Sequence, residues 1–162
     1  MIKGLLLLYL FLFIIWMMLT GLETSELLAG AIVCLVLSLL MPGGARVLSS
    51  VKLSPRAIFY LLMYIITFLF ELVKSNLDVA RRVLNPDLPI NPGVVKVRTK
   101  LRSKLGRLIL ANSITLTPGT LTVETRDDYF YIHWIDVTAG DINEATDAIV
   151  SRFEKYLEVI FG

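Results

Sequence analysis

The feature that most constrains this chain is an apolar segment over residues 56–84 that carries a single line of polar side chains. Pro55 suits the first turn of a helix, and a helix from there through Leu84 would be about 45 Å long at roughly 1.5 Å per residue. The polar side chains follow one another by four or three residues and so share one helical face, which we call the polar stripe. Its members are Tyr60, Tyr64, Thr67, Glu71, Lys74, Asp78 and Arg81. Since a hydrocarbon core is about 30 Å thick, such a helix either crosses a bilayer with a tilt or lies along it.

The composition points to a membrane protein with a soluble tail. Of the 162 residues 56% are hydrophobic, and the apolar residues are concentrated before residue 74. The tail is a dipole, because residues 96–107 hold bases without one acid, whereas residues 124–158 hold nine acids and three bases. Cys34 is the one cysteine, so neither a disulfide nor a thiolate metal site can form within the chain.

Two apolar runs, residues 4–19 and 27–41, precede this segment and are separated by a short acidic turn with Glu23 and Glu26. They predict two antiparallel membrane helices, both shorter than the usual length of about 20 residues. Ala29, Gly30 and Ala31 offer a flat spot for close helix packing. Neither run contains a charged residue, and intramembrane charges are what ion or proton relays need.

The positions of lysine and arginine predict the topology. Bases flank the outer ends of the hairpin, whereas its turn has none, so the positive-inside rule places the N-terminus and residues 42–56 in the cytoplasm. The flanking bases are Lys3, Arg46, Lys52 and Arg56. If residues 57–73 crossed the membrane, Lys74 and the bases that follow it would lie outside, against the same rule. We therefore expect a helix at the cytoplasmic surface. A third span is the alternative, because residues 57–70 have no charge.

The tail begins after a proline-rich linker. Residues 85–93 contain three prolines, which favours an extended connector. From Val94 on, inward-facing and basic residues alternate, and this period of two predicts a half-buried strand. Val95, Val97, Thr99 and Leu101 form its inner face, and Lys96, Arg98, Lys100 and Arg102 form its cationic outer face.

Local signals predict the remaining elements of the tail. Ser103 is placed to cap a helix that runs to about Leu116 and ends before Pro118. Residues 120–125 and 129–137 are rich in β-formers and are joined by a short polar loop, which is typical of a β-hairpin. Asp141 and Glu144 resemble a capping box at the start of a last helix that continues to Ile160.

The predicted fold class is a membrane α-helical hairpin plus an amphipathic surface helix, followed by a small cytoplasmic α+β domain of βαββα order. The hairpin covers residues 1–43, and a cytoplasmic loop with the long helix covers residues 44–84. The linker covers residues 85–93 and the α+β domain residues 94–162. A domain of this size is only marginally stable alone, so docking on neighbouring proteins would help it.

The sequence contains little that suggests catalysis. His133 is the one histidine, and Asp136 lies three residues further along the same predicted strand, on the opposite face. No phosphate-binding loop, dinucleotide fingerprint or nucleophile elbow is present. We therefore predict that the chain is not an enzyme and that it holds no cofactor and no metal.

The basic strand has two interpretations. Alternating lysine and arginine with nearby aromatic residues is found on nucleic-acid surfaces, but the aromatic residues here lie in the acidic half and the strand is tethered to a membrane. Contact with anionic lipid or with a neighbouring protein is favoured. We predict no nucleic-acid partner.

Four short segments carry a family resemblance. They are N-S-I-T-L-T-P-G-T-L at residues 112–121, S-N-L-D-V at 75–79, I-N-P-G at 90–93 and I-H-W-I-D at 132–136. Together they resemble the E subunit of the multisubunit Mrp (Mnh) Na+/H+ antiporter, over essentially the whole chain. The resemblance implies an accessory, non-catalytic subunit of a complex in the bacterial cell (inner) membrane that exchanges cytoplasmic Na+, or K+ in some relatives, for external H+. It places the ion path in larger subunits and transfers no catalytic residue to this chain.

The resemblance predicts other antiporter subunits and membrane lipid as partners. Candidate contact residues are Glu71, Lys74, Lys96, Arg98, Lys100, Arg102, Thr115, Thr117 and Pro118. We further expect a buried ion pair between Glu71 and Lys74 and an exposed pair between Asp78 and Arg81, each at i, i+3. The rival hypothesis is a membrane-tethered binding domain that recruits a cytoplasmic partner or anionic lipid through the basic strand.

Overall fold

The computed structural model describes residues 2–52 and 54–162. The chain divides into two compact units, Met1–Lys52 and Leu53–Gly162. We call them the N-terminal unit and the C-terminal unit. The first holds two apolar helices, and the second holds a long helix and a small domain of helices and sheet.

The N-terminal unit is built from α1 (Ile2–Thr20), α2 (Thr24–Leu40) and a short α3 (Pro42–Leu48). The flat spot predicted at Gly30 is covered by the indole of Trp16, whose Nε1 donates to the carbonyl oxygen of Glu26 at 2.9 Å. Gly4 packs in the same way against the backbone of Ala45 in α3. Small residues thus let the helix backbones approach closely at two places in this unit.

The lengths of the helices bear on how many cross a membrane. By length and composition, Ile2–Thr20 and Pro55–Leu84 are long and apolar enough to span, and Thr24–Leu40 qualifies only when joined to Pro42–Leu48 across a bend of 88°. The second apolar run, predicted at residues 27–41, is therefore a helix of 17 residues that is followed by a sharp turn at Met41.

Helix α4 (Pro55–Leu84) opens the C-terminal unit and has 30 residues. It begins as the sequence predicts, with Pro55 in the first turn. The side chain of Ser54 caps it by accepting a hydrogen bond from the amide of Ala57 at 3.1 Å. It ends at Leu84, where the proline-containing linker begins.

The tail domain, predicted over residues 94–162, contains an antiparallel sheet of β1 (Gly93–Arg98), β2 (Thr120–Arg126) and β3 (Tyr129–Trp134) in the order β1-β3-β2. Val97 pairs with Phe130, and a register shift lies between Thr122 and Glu124 in β2. The expected strand through Arg102 is too long. β1 ends at Arg98 because its partner β3 begins at Tyr129, opposite that residue.

Three helices complete the domain: α5 (Lys104–Leu116), α6 (Ile142–Ile149) and α7 (Ser151–Phe161). Ser103 caps α5 through its side chain, as predicted, and Asp141 caps α6 by accepting from two backbone amides. The single last helix that we expected is interrupted at Val150, which is fully buried. The break gives α6 and α7 different neighbours, since α6 packs on β1 whereas α7 packs on α4 and α5.

The core of the tail domain lies on one face of the sheet. Alternate residues of β3, Phe130 and Ile132, are fully buried, while Tyr129 and Tyr131 on the other face are half-buried. The helices supply the rest of the core with Leu110, Ile114, Ile149, Val150, Phe153, Leu157 and Ile160.

Candidate functional site

Part of the polar stripe of α4 faces the tail domain, whereas Lys74 and Arg81 are exposed. The hydroxyls of Tyr64 and Ser113 share a hydrogen bond of 2.5 Å, and the hydroxyl of Thr67 donates to the phenol oxygen of Tyr156 at 3.1 Å. One turn further on, Arg152 donates to the carboxylate of Glu71. Every one of these bonds joins residues at least 49 positions apart, so Tyr64, Thr67 and Glu71 form an internal packing surface of the C-terminal unit.

Aromatic contacts reinforce the same surface. The rings of Tyr60 and Tyr156 meet edge to face with their centroids 6.2 Å apart, and Phe153 contacts both Tyr64 and Phe68 at 6.4 and 6.3 Å. We call the whole contact the α4 seam. It comprises Tyr60, Tyr64, Thr67, Phe68, Glu71 and Arg82 from α4, with Ser113, Asp136, Arg152, Phe153 and Tyr156 from the tail domain.

Arg82 forms the last contacts of the α4 seam, near the C-terminal end of α4. Its Nε donates to Asp78 at 2.8 Å, and its Nη1 donates to Asp136 at 2.9 Å and to the carbonyl oxygen of Pro89 at 2.7 Å. One guanidinium thereby ties together α4, the linker and the segment after β3. A cavity of about 220 Å³ beside it is lined by Asp78, Arg82, Thr117, Pro118, Asp136 and Arg152, among others.

The ion pairs differ from those predicted. Glu71 is 14% exposed and pairs with Arg152 rather than with Lys74, which is exposed on the flank of α4. Asp78 pairs with Arg82 rather than with Arg81. The predicted i, i+3 pairs are wrong. Glu71 has a long-range partner across the α4 seam, and Asp78 pairs at i, i+4 with Arg82, which also binds Asp136. Glu71 is partly covered by residues of this same chain, and its contact with a partner subunit stays a prediction.

Thr67 also changes the environment of Tyr156. By donating to the phenol oxygen, Thr67 favours the ionised form and lowers the pKa of Tyr156, against the opposing effect of burial. The nearby ammonium of Lys155 acts in the same direction.

The predicted cationic strand is only partly a free surface. The ammonium of Lys96 lies 3.8 Å from the centroid of the Tyr129 ring and 5.9 Å from that of Tyr131, in a cation–π arrangement. Arg98 is exposed at the end of β1. Lys100 and Arg102 lie beyond the strand and are exposed.

Three of these bases line a mixed-charge cavity of about 550 Å³, which Arg98, Lys100 and Arg102 share with the acids Asp128, Asp147 and Glu154. Glu154 is 6% exposed, and it accepts from the hydroxyl of Thr99 at 2.5 Å and from the amide of Lys100 at 2.8 Å. The carboxylates reduce the positive potential that the sequence pattern indicates.

The threonines of the resemblance motif serve the fold. Thr117 is buried, and its hydroxyl donates to the carbonyl oxygen of Ser113 at 2.7 Å. Thr115 is exposed and accepts a hydrogen bond from the amide of Thr122 at 3.2 Å. Pro118 lines the smaller cavity, and Gly119 adopts a φ of 94°, which glycine tolerates best. Together these residues shape the turn from α5 to β2, and contact of Thr115 and Pro118 with a partner stays a prediction.

Sequence reasoning missed the tail-domain half of the α4 seam. Ser113, Asp136, Arg152 and Tyr156 carry no local signal for pairing with α4, although the polar stripe predicts that something polar must cover it. His133 is exposed on the outer sheet face, while Asp136 is bound to Arg82. Within residues 2–52 and 54–162, no three His, Cys, Asp or Glu side chains lie close enough together to hold a metal ion.

The chain combines apolar helices with a small α+β domain. It therefore belongs to the general class of membrane proteins that carry a folded polar domain. A family model described as "Na+/H+ ion antiporter subunit" matches residues 9–160. The chain belongs to this family of antiporter subunits, and the resemblance to the E subunit of the Mrp antiporter is confirmed.

Two relatives agree with this assignment, and a solved structure is similar over nearly the whole chain. The E1 subunit of the Na+/H+ antiporter of Staphylococcus haemolyticus is 33% identical over 153 residues, which cover 90% of each chain. The corresponding E subunit of Alkalihalophilus pseudofirmus is 45% identical over 84 residues, and this match covers 51% of the present chain and 53% of that relative. A chain in the structure of the membrane-bound sulfane sulfur reductase, an archaeal respiratory membrane complex, is 40% identical with a TM-score of 0.85, covering 98% of this chain and 99% of that one.

Proposed function

We propose that this chain is an accessory, non-catalytic subunit that supports assembly and stability of a Na+(K+)/H+ antiporter complex in the cell membrane. The observation that carries the proposal is the absence of charge from residues 4–22 and 27–41. A path for Na+ or H+ through a membrane needs charged groups at bilayer depth, and these two segments contain no Asp, Glu, Lys, Arg or His. Ion translocation is accordingly assigned to partner subunits.

Exposed apolar surface supports a role in assembly. In the N-terminal unit Leu6, Phe11, Ile32 and Leu39 are each more than half exposed. Surface of this kind is stable only when lipid or other membrane subunits cover it. The proposed partners are therefore neighbouring membrane subunits and the surrounding lipid.

The proposed topology has two spans, with the N-terminus, residues 44–54 and the tail domain in the cytoplasm. It is supported by the bases at the outer ends of the hairpin and by the acidic turn between α1 and α2. In a Cys34→Ser background, a membrane-impermeant thiol reagent added to intact cells should modify a cysteine at Thr24 and spare cysteines at Ser50 and Asn143. Modification at Asn143 in intact cells would overturn this topology.

The accessory role is tested with the purified native complex and with the chain alone. Vesicles that contain the chain alone should show no Na+-dependent proton movement, and deletion of the chain should lower the yield of intact complex. Robust antiport by the chain alone would refute the proposal. Wild-type yield of an active complex without the chain would refute it as well.

A second candidate is the same supporting role in a respiratory membrane complex. It is favoured by the 40% identity and TM-score of 0.85 to a chain of such a complex over nearly the whole length. Proteins that co-purify with the tagged chain decide between the two. Subunits with redox centres would favour the respiratory complex, whereas membrane subunits without them would favour the antiporter.

A further inference from the structure

We infer that α4 lies along the surface of the membrane, with its uncovered apolar face among the lipids of an anionic leaflet and the tail domain on its opposite face. The inference rests on the proposed membrane role and adds which surface binds lipid, and how. It follows from the length of the α4 seam, from the uncovered face of α4 and from a line of bases beside that face.

The α4 seam is about as long as the hydrocarbon core of a bilayer is thick. Its contacts run from Tyr60, which packs on Tyr156, to Arg82, which binds Asp136. These two positions are 22 residues apart, or about 33 Å at roughly 1.5 Å per residue, against about 30 Å for a hydrocarbon core. The tail domain thus accompanies α4 over the whole distance that a spanning helix would occupy.

A spanning α4 would carry the tail domain into the hydrocarbon. Arg152, Lys155 and Glu158 of α7 would then lie at bilayer depth, where each charge costs at least about 2.5 to 3.5 kcal/mol. β1 and β2 are also the edge strands of an open three-stranded sheet, and an open sheet is not found in hydrocarbon. The length and apolarity of α4 permit a span, but the domain attached along it does not.

The face of α4 opposite the α4 seam is apolar, and no residue among 54–162 covers it. Its large side chains are each more than half exposed: Phe59, Leu62, Ile66, Leu69, Phe70, Val73 and Leu77. An amphipathic helix of this kind buries its apolar face in the boundary between headgroups and acyl chains.

Three bases follow one border of this face. Arg56, Lys74 and Arg81 are separated by 18 and 7 residues, which correspond to about five and two turns at 3.6 residues per turn, so they share one flank. All three are exposed. Long cationic side chains in this position extend to the phosphates of the headgroups, and each contributes roughly 1 kcal/mol of attraction to an anionic leaflet. This charge pattern favours a lipid surface over a second apolar protein.

Depth measurements with spin labels test the inference. Single nitroxide labels at Phe59, Ile66, Val73 and Leu77 would be introduced into the full chain with Cys34→Ser, reconstituted in nanodiscs of phosphatidylglycerol and phosphatidylcholine. Collision rates with oxygen and with a water-soluble nickel complex report depth. We expect all four labels at one shallow depth. A profile that passes through the bilayer centre would overturn the inference, as would labels shielded from both reagents by protein or fully open to the nickel complex.

Matched controls make the profile interpretable. A label at Leu37 in α2 should report the hydrocarbon, and one at Asn143 should report water. In the triple variant Arg56→Gln, Lys74→Gln and Arg81→Gln, the depth of the Ile66 label should lose its dependence on phosphatidylglycerol. If the unsubstituted chain shows no such dependence, the role of the bases is overturned. A spanning profile would leave the accessory role intact, because that role is tested by co-purification and complex yield.

Discussion

Nη1 of Arg152 donates to the carboxylate of Glu71 at 2.5 Å, and this ion pair joins residues 81 positions apart in the sequence. The side chain of Glu71 is 14% exposed and that of Arg152 is 33% exposed. The pair lies at the middle of the α4 seam and links α4 to the folded tail domain.

Glu71→Ala is expected to weaken the C-terminal unit. It leaves Arg152 without its anion in a partly buried position, and a hydrogen bond to a charged group contributes about 1.5 to 3 kcal/mol. Chemical unfolding of the detergent-solubilised chain, followed by Trp134 fluorescence in a Trp16→Phe background, measures the loss. Asp78→Ala is the control, because Asp78 is 54% exposed and an exposed pair contributes at most about 1 kcal/mol. Equal stability of the two variants would contradict this account.

The same two variants test whether the α4 seam matters for assembly. Glu71→Ala should lower the amount of this chain retained in the purified complex. A tail domain that is held less firmly on α4 forms weaker contacts with the partner subunits. Asp78→Ala should be retained as the unsubstituted chain is. Wild-type retention of both variants would show that the α4 seam does not affect assembly.

Glu154 is expected to be the acid of α7 whose loss costs most. Its carboxylate is 6% exposed and holds the turn after β1 through Thr99 and the amide of Lys100. Glu154→Ala leaves both donors unsatisfied, at about 1 to 3 kcal/mol for each buried group. The same unfolding measurement should show Glu158→Ala close to the unsubstituted chain, since Glu158 is exposed on the same helix.

Gly119→Ala is expected to destabilise the turn from α5 to β2. Gly119 has a φ of 94°, and an added Cβ would lie 3.0 Å from Cγ2 of Ile135. Strain at such a backbone position costs about 1 to 3 kcal/mol. Gly140→Ala is the matched control because its Cβ would make ordinary contact at 3.5 Å. A similar midpoint of unfolding for the two variants would show that the turn relaxes without cost.

Gly30→Ala is expected to separate α1 from α2 locally. A Cβ at Gly30 would overlap the indole of Trp16, and overpacking of this kind costs about 1 to 3 kcal/mol. The displaced indole would lose its hydrogen bond to Glu26, so the fluorescence of Trp16 in a Trp134→Phe background should change. Gly43→Ala should leave the emission unchanged, because nothing lies within 4 Å of its added Cβ.

The features that depend on neighbours along the chain can be predicted from local sequence. The start of α4 at Ser54 and Pro55, the cap of α5 by Ser103 and the hydrogen bonds of Asp141 at the start of α6 are all satisfied within three residues. The four short segments at residues 75–79, 90–93, 112–121 and 132–136 likewise indicated the family, which the family model confirms. Such features can be predicted because i, i+3 and i, i+4 spacings are properties of the local sequence.

Only the tertiary structure decided which residues meet across the chain. The end of β1 at Arg98 depends on where β3 begins, and the partner of Glu71 depends on the break at Val150 that turns α7 toward α4. The bases at the end of β1 and after it have acidic neighbours because the fold brings Asp128, Asp147 and Glu154 from other elements beside them. The energy of each contact depends on the geometry of several packed elements at once, so no spacing rule along one segment encodes it.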